Sequence, residues 1–367
     1  TRSGSVTGVQ TCALPIWTES FPEARAGAAP APAVELPAPA IETTTLSDRD
    51  VQDAARDPDV EGVAVVMPTI LLAPVALDAD AAAADVPGDS WGLAAVGATG
   101  SPFTGKGVSV CVLDTGIDAS HPAFQGVALD KRDFTTGTPG GQPIDDKPDW
   151  DRNGHGTHCA GTIFGRNVDG ARIGVAPGIT SAMIGKVLGD NGGGTTDMLF
   201  EGLQWAITAG VDIVSMSIGF DFPGLMERRI QAGLSPRQAA SDALVAYRAN
   251  LRLFDTLMAM VKVRAPFDEG TVIVAASGNE SDHAHNIHIA VSIPAAAEGM
   301  ISVGAVGQTG GKQELANFSN SMPIVCAPGV AIRSARTGGG LVPMSGTSMA
   351  TPHVAGVAPV LDRKSVV

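Results

Sequence analysis

The sequence predicts an α/β fold: a mainly parallel central sheet with helices on both faces. Five runs, VSVCVLD (108–114), TSAMIGKVL (180–188), DIVSMSI (212–218), TVIVAAS (271–277) and MISVGAV (300–306), are short, apolar and bounded by turn residues, as buried strands are. Helical patterns fall between them, Asp197 to Ala209 being the clearest. Strands that alternate with helices are joined by crossovers and therefore run parallel. Hydrophobic residues make up 44% of the 367, enough to cover both faces of such a sheet, and at about 150 residues per domain the length holds two domains at most.

The elements follow in order. Residues 1–16 (TRSGSVTGVQTCALPI) show neither helical nor strand period and resemble the translation of a sequencing adapter, as do residues 362–367 (DRKSVV). Both are set aside from the fold. On that reading Cys12 is foreign, and native sequence is truncated at both ends, stopping at Leu361 with core surface left uncovered. Residues 17–46, rich in Ala, Pro and Glu, read as a linker. A short α+β unit occupies 47–86: Ser47 starts a helix through VQDAAR, and EGVAVVMP reads as a strand. ALDADAAAADVPGD (76–89), small and polar, reads as a cleavable junction. The main domain spans 87–361, with a helical insertion at about 220–268. There Ser235-Pro236 supplies an N-cap and a first-turn proline, and Leu244, Tyr247, Leu251, Phe254, Met258 and Val261 make one stripe that predicts docking on the domain. Pro359 should kink or end the last helix.

Composition removes several function classes. Lys and Arg number 24 against 38 Asp and Glu, a net −14 that repels nucleic acid and anionic membranes. A single Tyr and 4% aromatics provide no stacking platform. No apolar run is long enough to span a bilayer. Four cysteines in so long a chain are not a disulfide framework.

Four motifs carry chemistry. VLDTGID puts Asp114 at the carboxyl end of a buried strand, where open α/β sheets place their sites. NGHGTHCAGT (153–162) sets His155 between glycines at a helix start. His155 and His158 could be a metal pair, but no glutamate lies between them as in zinc helices, so a catalytic His155 with a packed His158 reads better. VAASGNE ends a strand at Asn279, either a plain loop or an amide aimed at the sheet edge. SGTSMATPHVAG (345–356) opens a helix at Ser348, an N-cap by default, but also a nucleophile whose own N–H and helix dipole could stabilise an oxyanion.

Together these motifs resemble the subtilisin-like serine proteases over roughly residues 91–361. The order Asp…His…Ser fits that family and not the α/β-hydrolases. The resemblance implies Ser348 as nucleophile, His155 as general base then acid, Asp114 as its orienting carboxylate, and Asn279 with Ser348 as the oxyanion hole. It implies two strand edges gripping an extended peptide, Gly192, Gly193 and Gly194 on one side and Ser217, Ile218 and Gly219 on the other. Leu199 and Ile218 would shape an outer apolar subsite, and Ala276, Ser277, Gly278 and Ser292 complete the substrate-binding set. Ile293-Pro294 falls where the family has a cis peptide. Residues from Ser47 would be the end of an inhibitory propeptide released between Ala76 and Asp89, which makes the chain a zymogen. Expected partners are polypeptide substrates and the propeptide, with a monomer at work outside the cell or in its envelope. An inactive, ligand-binding subtilase and a serine hydrolase on another fold are the competing classes; the intact triad and the motif order respectively oppose them.

No cofactor is needed for this chemistry, whereas structural calcium is left open. The loop Phe164 to Ile173 is shorter than the calcium loop of the secreted bacterial subtilisins. Asp145, Asp146, Asp149 and Asp151 could bind calcium or simply be solvated. His283, His285 and His288 have ligand-like spacing, with an exposed loop as the plainer reading. Cys111 and Cys159 should be small buried thiols beneath the catalytic centre. The primary pocket should prefer apolar side chains, Glu280 at its mouth being the feature that would favour basic ones.

Overall fold

A computed structural model of the chain describes residues 4–10, 40–76, 88–145, 150–268 and 270–358. In chain order its first elements are β1 (Gly4–Gln10), β2 (Ala40–Leu46), α1 (Asp48–Ala54), β3 (Val60–Val65) and β4 (Pro68–Leu71). Then come α2 (Trp91–Ala95), β5 (Val110–Asp114), β6 (Ala128–Asp133), β7 (Gln142–Pro143), α3 (His155–Phe164), β8 (Ser181–Lys186), β9 (Gly193–Thr195) and α4 (Thr196–Thr208). Next are β10 (Ile213–Met216), β11 (Ile218–Phe220), α5 (Phe222–Gln231), α6 (Pro236–Asp268), β12 (Val272–Ala276), β13 (Ile301–Thr309) and β14 (Lys312–Leu315). The last are β15 (Val325–Pro328), β16 (Ile332–Ala335), β17 (Leu341–Met344) and α7 (Thr347–Val357).

The main sheet runs β14-β13-β12-β10-β5-β8-β6-β7, with β15 also on β13. Its central pairs β12/β10, β10/β5 and β5/β8 are all parallel. Both faces are covered, which explains the continuous apolar character of β5. Val110 and Val112 pack into the cluster with Ile163 of α3 and Ala350 of α7. Cys111 and Leu113, pointing the other way, join Leu203 of α4 and Phe254 of α6. The α/β expectation is met. All five strand runs lie in this sheet, and their carboxyl ends share one edge.

The insertion forms two helices. Ser235 caps α6 with a reciprocal pair: the Gln238 N–H donates to Ser235 Oγ at 3.4 Å and the Ser235 N–H to Gln238 Oε1 at 3.2 Å. Its buried stripe differs from the expected one. Ala243, Ala246, Leu253, Phe254, Leu257, Met258 and Val261 face inward, Tyr247 and Leu251 flank them, and Leu244 is 49% exposed. Alanines take the inner positions because β3 lies close against this helix. Asn250, fully buried, donates from Nδ2 to the Val65 carbonyl at 2.9 Å.

The amino-terminal region also departs from expectation. β1 pairs antiparallel with both β2 and β3, giving a small sheet of order β2-β1-β3. Residues 4–10 and 40–46, expected to be unstructured adapter-like chain and linker end, are thus strands; the runs VTGV and IETTT are rich in β-branched residues, and β3 offers an edge to pair with. Ser47 caps α1 in a capping box with Asp50, as its sequence predicts. The junction residues 77–87 lie outside the described residues, as do Cys12, Asp146, Asp149 and Pro359.

Candidate active site

Asp114 ends β5 and His155 begins α3, both about 1% exposed. His155 Nδ1 lies 2.8 Å from Asp114 Oδ1 and 3.0 Å from Oδ2. Two glycines make this approach feasible. Gly154 precedes the helix at φ 89°, and a Cβ on Gly156 would collide with the Gly116 carbonyl. Burial alone would lower the His155 pKa, but the adjacent Asp114 carboxylate outweighs it and holds the imidazole well above its ordinary value. His155 Nε2 is buried and has no hydrogen-bond partner among the described residues.

His158 is a packed neighbour, as expected. Its Nε2–H donates to the Ile332 carbonyl at 2.9 Å, and burial together with the His155 charge pushes its pKa down to about 3. Burial lowers His353 on α7 to about 4.

Ser348 sits one residue inside α7, whose N-cap is Gly346 rather than Ser348 itself. Its Oγ–H donates to the carbonyl of Leu72 at 2.9 Å. Pro352, four residues on, lacks the N–H that would bond the Ser348 carbonyl. That carbonyl instead accepts from Cys159 Sγ and Ser217 Oγ, each at 3.4 Å. Cys159 also lies 3.7 Å from His155 Nδ1, and burial raises its pKa, so it stays a neutral thiol. Asp114, His155 and Cys159 form a compact set of metal-capable groups, and each is already engaged in this centre. Cys111 is likewise a buried free thiol.

Asn279 follows β12. Its Oδ1 accepts from the Thr347 N–H and hydroxyl, each at 2.8 Å, which fixes the amide so that Nδ2 faces the cleft. Nδ2 reaches the Leu72 carbonyl at 3.5 Å and that of Ala73 at 3.1 Å.

The two expected edges grip the chain's own β4. Ile218, Gly219 and Phe220 pair antiparallel with Leu71, Ile70 and Thr69, while Gly193 and Gly194 pair with Ile70 and Thr69 from the other side. Leu71 N–H donates to the Gly192 carbonyl at 2.7 Å and Leu72 N–H to the Ser217 carbonyl at 3.3 Å. Beyond Ser348, Val75 N–H donates to the Ser345 carbonyl at 2.8 Å. Leu72 is 3% exposed, and a Cβ on Gly219 would stand 2.7 Å from its Cδ2. Ser292 Oγ lies beside the same wall; its N–H donates to the Ser277 carbonyl, and both Ser277 and Ser292 hydroxyls lack partners among the described residues. Gly278, at φ 114°, turns the chain from Ala276 and Ser277 to Asn279. Leu199 is buried in α4 in the cluster that holds Ile218 and Met67. The Ile293–Pro294 peptide is cis.

One expectation needs correcting, and two others gain detail. The bond presented to Ser348 is Leu72–Ala73, upstream of the 76–89 junction, because β4 and Val75 anchor the chain on either side of it. Asp151 does not fit a calcium ligand: its two oxygens accept from Thr115 Oγ1, the Gly154 and Thr157 N–H groups and Thr157 Oγ1. In the short loop after α3, Arg166 and Arg172 turn their guanidinium groups onto the carbonyls of Phe164, Pro177, Ile179, Gly174, Ala98 and Val175, supplying positive charge from side chains. Glu280 Oε2 accepts from Asn320 Nδ2 at 2.7 Å. Sequence reasoning missed Leu72, Thr347 and Pro352. The signal for Leu72 was the apolar run MPTILLAP, framed by prolines that suit an extended segment.

The sheet edge, the histidine helix and the serine helix are those of a subtilisin-like protease. Residues 105–364 match the Subtilase family, Peptidase S8, and the chain belongs to that family. It is 36% identical over 261 residues to an intracellular serine protease of Paenibacillus polymyxa, covering 71% of this chain and 68% of the relative. It is 32% identical over 278 residues to subtilisin Savinase of Lederbergia lenta, covering 75% and 84%. It is 35% identical over 263 residues to alkaline elastase YaB of a Bacillus strain, covering 72% of this chain and 56% of that relative. No helix among the described residues is long and apolar enough to cross a membrane.

Proposed function

We propose that this subtilase is a serine endopeptidase made as a zymogen, whose first substrate is its own Leu72–Ala73 bond. The observation that carries the reading is the Leu72 carbonyl, held between Ser348 Oγ at 2.9 Å and Asn279 Nδ2 at 3.5 Å by a strand hydrogen-bonded on both edges. Ser348 Oγ attacks that carbon as its proton passes to His155 Nε2, and Asp114 stabilises the imidazolium. Oxyanion charge falls to Asn279 Nδ2 and to the Ser348 N–H, which as a first-turn group has no helix partner. His155 then protonates the Ala73 nitrogen as it leaves, and water releases the acyl group from Ser348. Side chains supply every step, so no cofactor enters. Because Asp114 raises the His155 pKa above its ordinary value in the occupied cleft, processing should speed up as pH rises through that raised pKa. Afterwards the segment ending at Leu72 stays paired with β9 and β11 and inhibits until displaced.

The buried Leu72 indicates a preference for apolar side chains before the scissile bond, with Gly192 to Gly194 and Ser217 to Gly219 reading the main chain of varied polypeptides. We place the work of this monomer outside the cell or in its envelope by the family resemblance, with the relative named intracellular as the opposite precedent. Mass spectrometry of the purified chain tests the reading. A new amino terminus at Ala73, absent in Ser348→Ala, is the expected result, with a fluorophosphonate probe labelling Ser348 alone. A first cut between residues 76 and 89 would refute the Leu72–Ala73 assignment, and labelling that survives Ser348→Ala would refute the nucleophile.

A further inference from the structure

Beyond the catalytic centre, the loop from Asp282 to His288 brings two imidazoles face to face. His283 Nδ1 and His288 Nδ1 are 2.9 Å apart, with ring centroids 4.8 Å apart. Each ring's other nitrogen faces an oxygen acceptor: His283 Nε2 the Ser319 carbonyl at 2.8 Å, His288 Nε2 the Asn286 Oδ1 at 3.1 Å. A neutral imidazole has one N–H, and a carbonyl oxygen can only accept. With both protons at Nε2, both Nδ1 atoms present lone pairs to one another. Two lone pairs do not rest at hydrogen-bond distance unless a cation lies between them.

The backbone holds this arrangement ready. Asp282 and Ile287 exchange N–H···O=C bonds of 2.9 Å in each direction, closing the loop, and Asn286 makes its turn at φ 58°. Asn317 accepts from the His283 N–H through its carbonyl and from the Ala284 N–H through Oδ1. His285, between them, is drawn away to Asp282 at 2.7 Å. The remaining histidines, His121, His155, His158 and His353, are at most 2% exposed, so every solvent-facing imidazole of this chain lies in this loop.

We propose that His283 and His288 form a binding site for a divalent transition-metal ion of the Cu²⁺ or Ni²⁺ class. At metal–nitrogen distances of about 2.0–2.1 Å, nitrogens 2.9 Å apart subtend about 90° at the ion. That is the cis angle of square-planar and octahedral centres, and it is too tight for tetrahedral zinc. The pair faces solvent, so water fills the remaining positions. The ion would clasp the ends of the loop that runs from the oxyanion amide, Asn279, toward the pocket wall at Ser292.

The test uses the full chain carrying Ser348→Ala, which prevents self-digestion. It is titrated with NiCl₂ in thermal melts and with one equivalent of CuSO₄ by electron paramagnetic resonance. The melting temperature should climb with the logarithm of nickel concentration, as mass action requires, and the copper spectrum should show hyperfine splitting from two nitrogens. Adding His288→Ala or His283→Ala should weaken binding at least tenfold, while His285→Ala leaves it unchanged. Binding that is equal in the parent and in His288→Ala would overturn the proposal, since the metal would then sit elsewhere, at Cys159 for instance. A loop that responds only to pH, with no saturable metal binding, would mean that a shared proton lies between the rings and would overturn it equally.

Discussion

Asp114 and His155 meet at the ends of elements that the sheet and its helices enclose on every side, whereas Leu71 and Leu72 reach the same cleft on a four-residue strand clasped by its neighbours' main-chain groups. The pair is joined across 41 positions of sequence by two contacts to one nitrogen, and changing either partner leaves the other buried and uncompensated. The strand is gripped by glycines and peptide bonds that would accept many sequences. Rigid chemistry beside a permissive grip is what an enzyme acting on varied chains requires. It also leaves room for the chain's own β4 between the two edges.

The sharpest way to break the comparison is to leave the grip whole and disable the pair. Asp114→Asn should lower kcat for peptide substrates by about 10⁴-fold once the Leu72 segment has been displaced, because the amide favours the wrong imidazole tautomer. Single-turnover kinetics after removal of the propeptide would measure it; a loss under tenfold would mean that Asp114 does not orient His155. Next in size is Asn279→Ala, expected to cost about 10²–10³-fold in kcat at little change in KM, since the donor acts as charge develops. A shift carried mainly by KM would make Asn279 part of the grip. Gly219→Ala alters the grip alone. A methyl 2.7 Å from Leu72 Cδ2 should reduce cleavage after leucine by about tenfold relative to cleavage after alanine in a peptide library. An unchanged ratio would show that Leu72 does not mark the primary pocket.

The smallest expected effect concerns stability. Unfolded histidines take up a proton below about pH 6.5, whereas folded His158 resists until about 3 and His353 until about 4. Folded pKa values below the unfolded ones mean that the unfolded state binds more protons in this window. Stability is therefore full above the ordinary histidine value and falls as pH drops toward 4. Urea midpoints measured across that range should decline with falling pH, and His353→Gln should flatten the slope. Midpoints that hold steady would show that these rings charge without penalty.

That Asp114, His155, Asn279 and Ser348 lie near one sheet edge was legible because strand ends and helix starts in an α/β sheet converge there, while the roles expected of them came from the family resemblance. The glycine edges came from the family resemblance alone, since glycines in a loop have many other uses. Leu72 was not legible, because a leucine in an apolar run has many uses, and only the strand register shows which carbonyl meets the serine. Periodicity also misjudged α6: Leu244 fits the stripe by spacing, but the approach of β3 favours the alanine side and turns Leu244 to solvent. Asp151 could be read as a calcium ligand or as a solvated carboxylate, because counting carboxylates does not reveal which protein donors already claim them.

The proline four residues beyond Ser348 has a mechanical consequence. In an unbroken helix, the backbone oxygen of Ser348 would be tied to its own axis and would move with it. Here it is a junction where the segment leading into β11, through Ser217, and the histidine helix, through Cys159, both hold Ser348. Displacement of any one of these three elements is felt at the other two through a single atom. Pro352→Ala would let the helix reclaim that oxygen, leaving a buried hydroxyl and a buried thiol to compete with the restored N–H, and Ser348 would answer to one element in place of three.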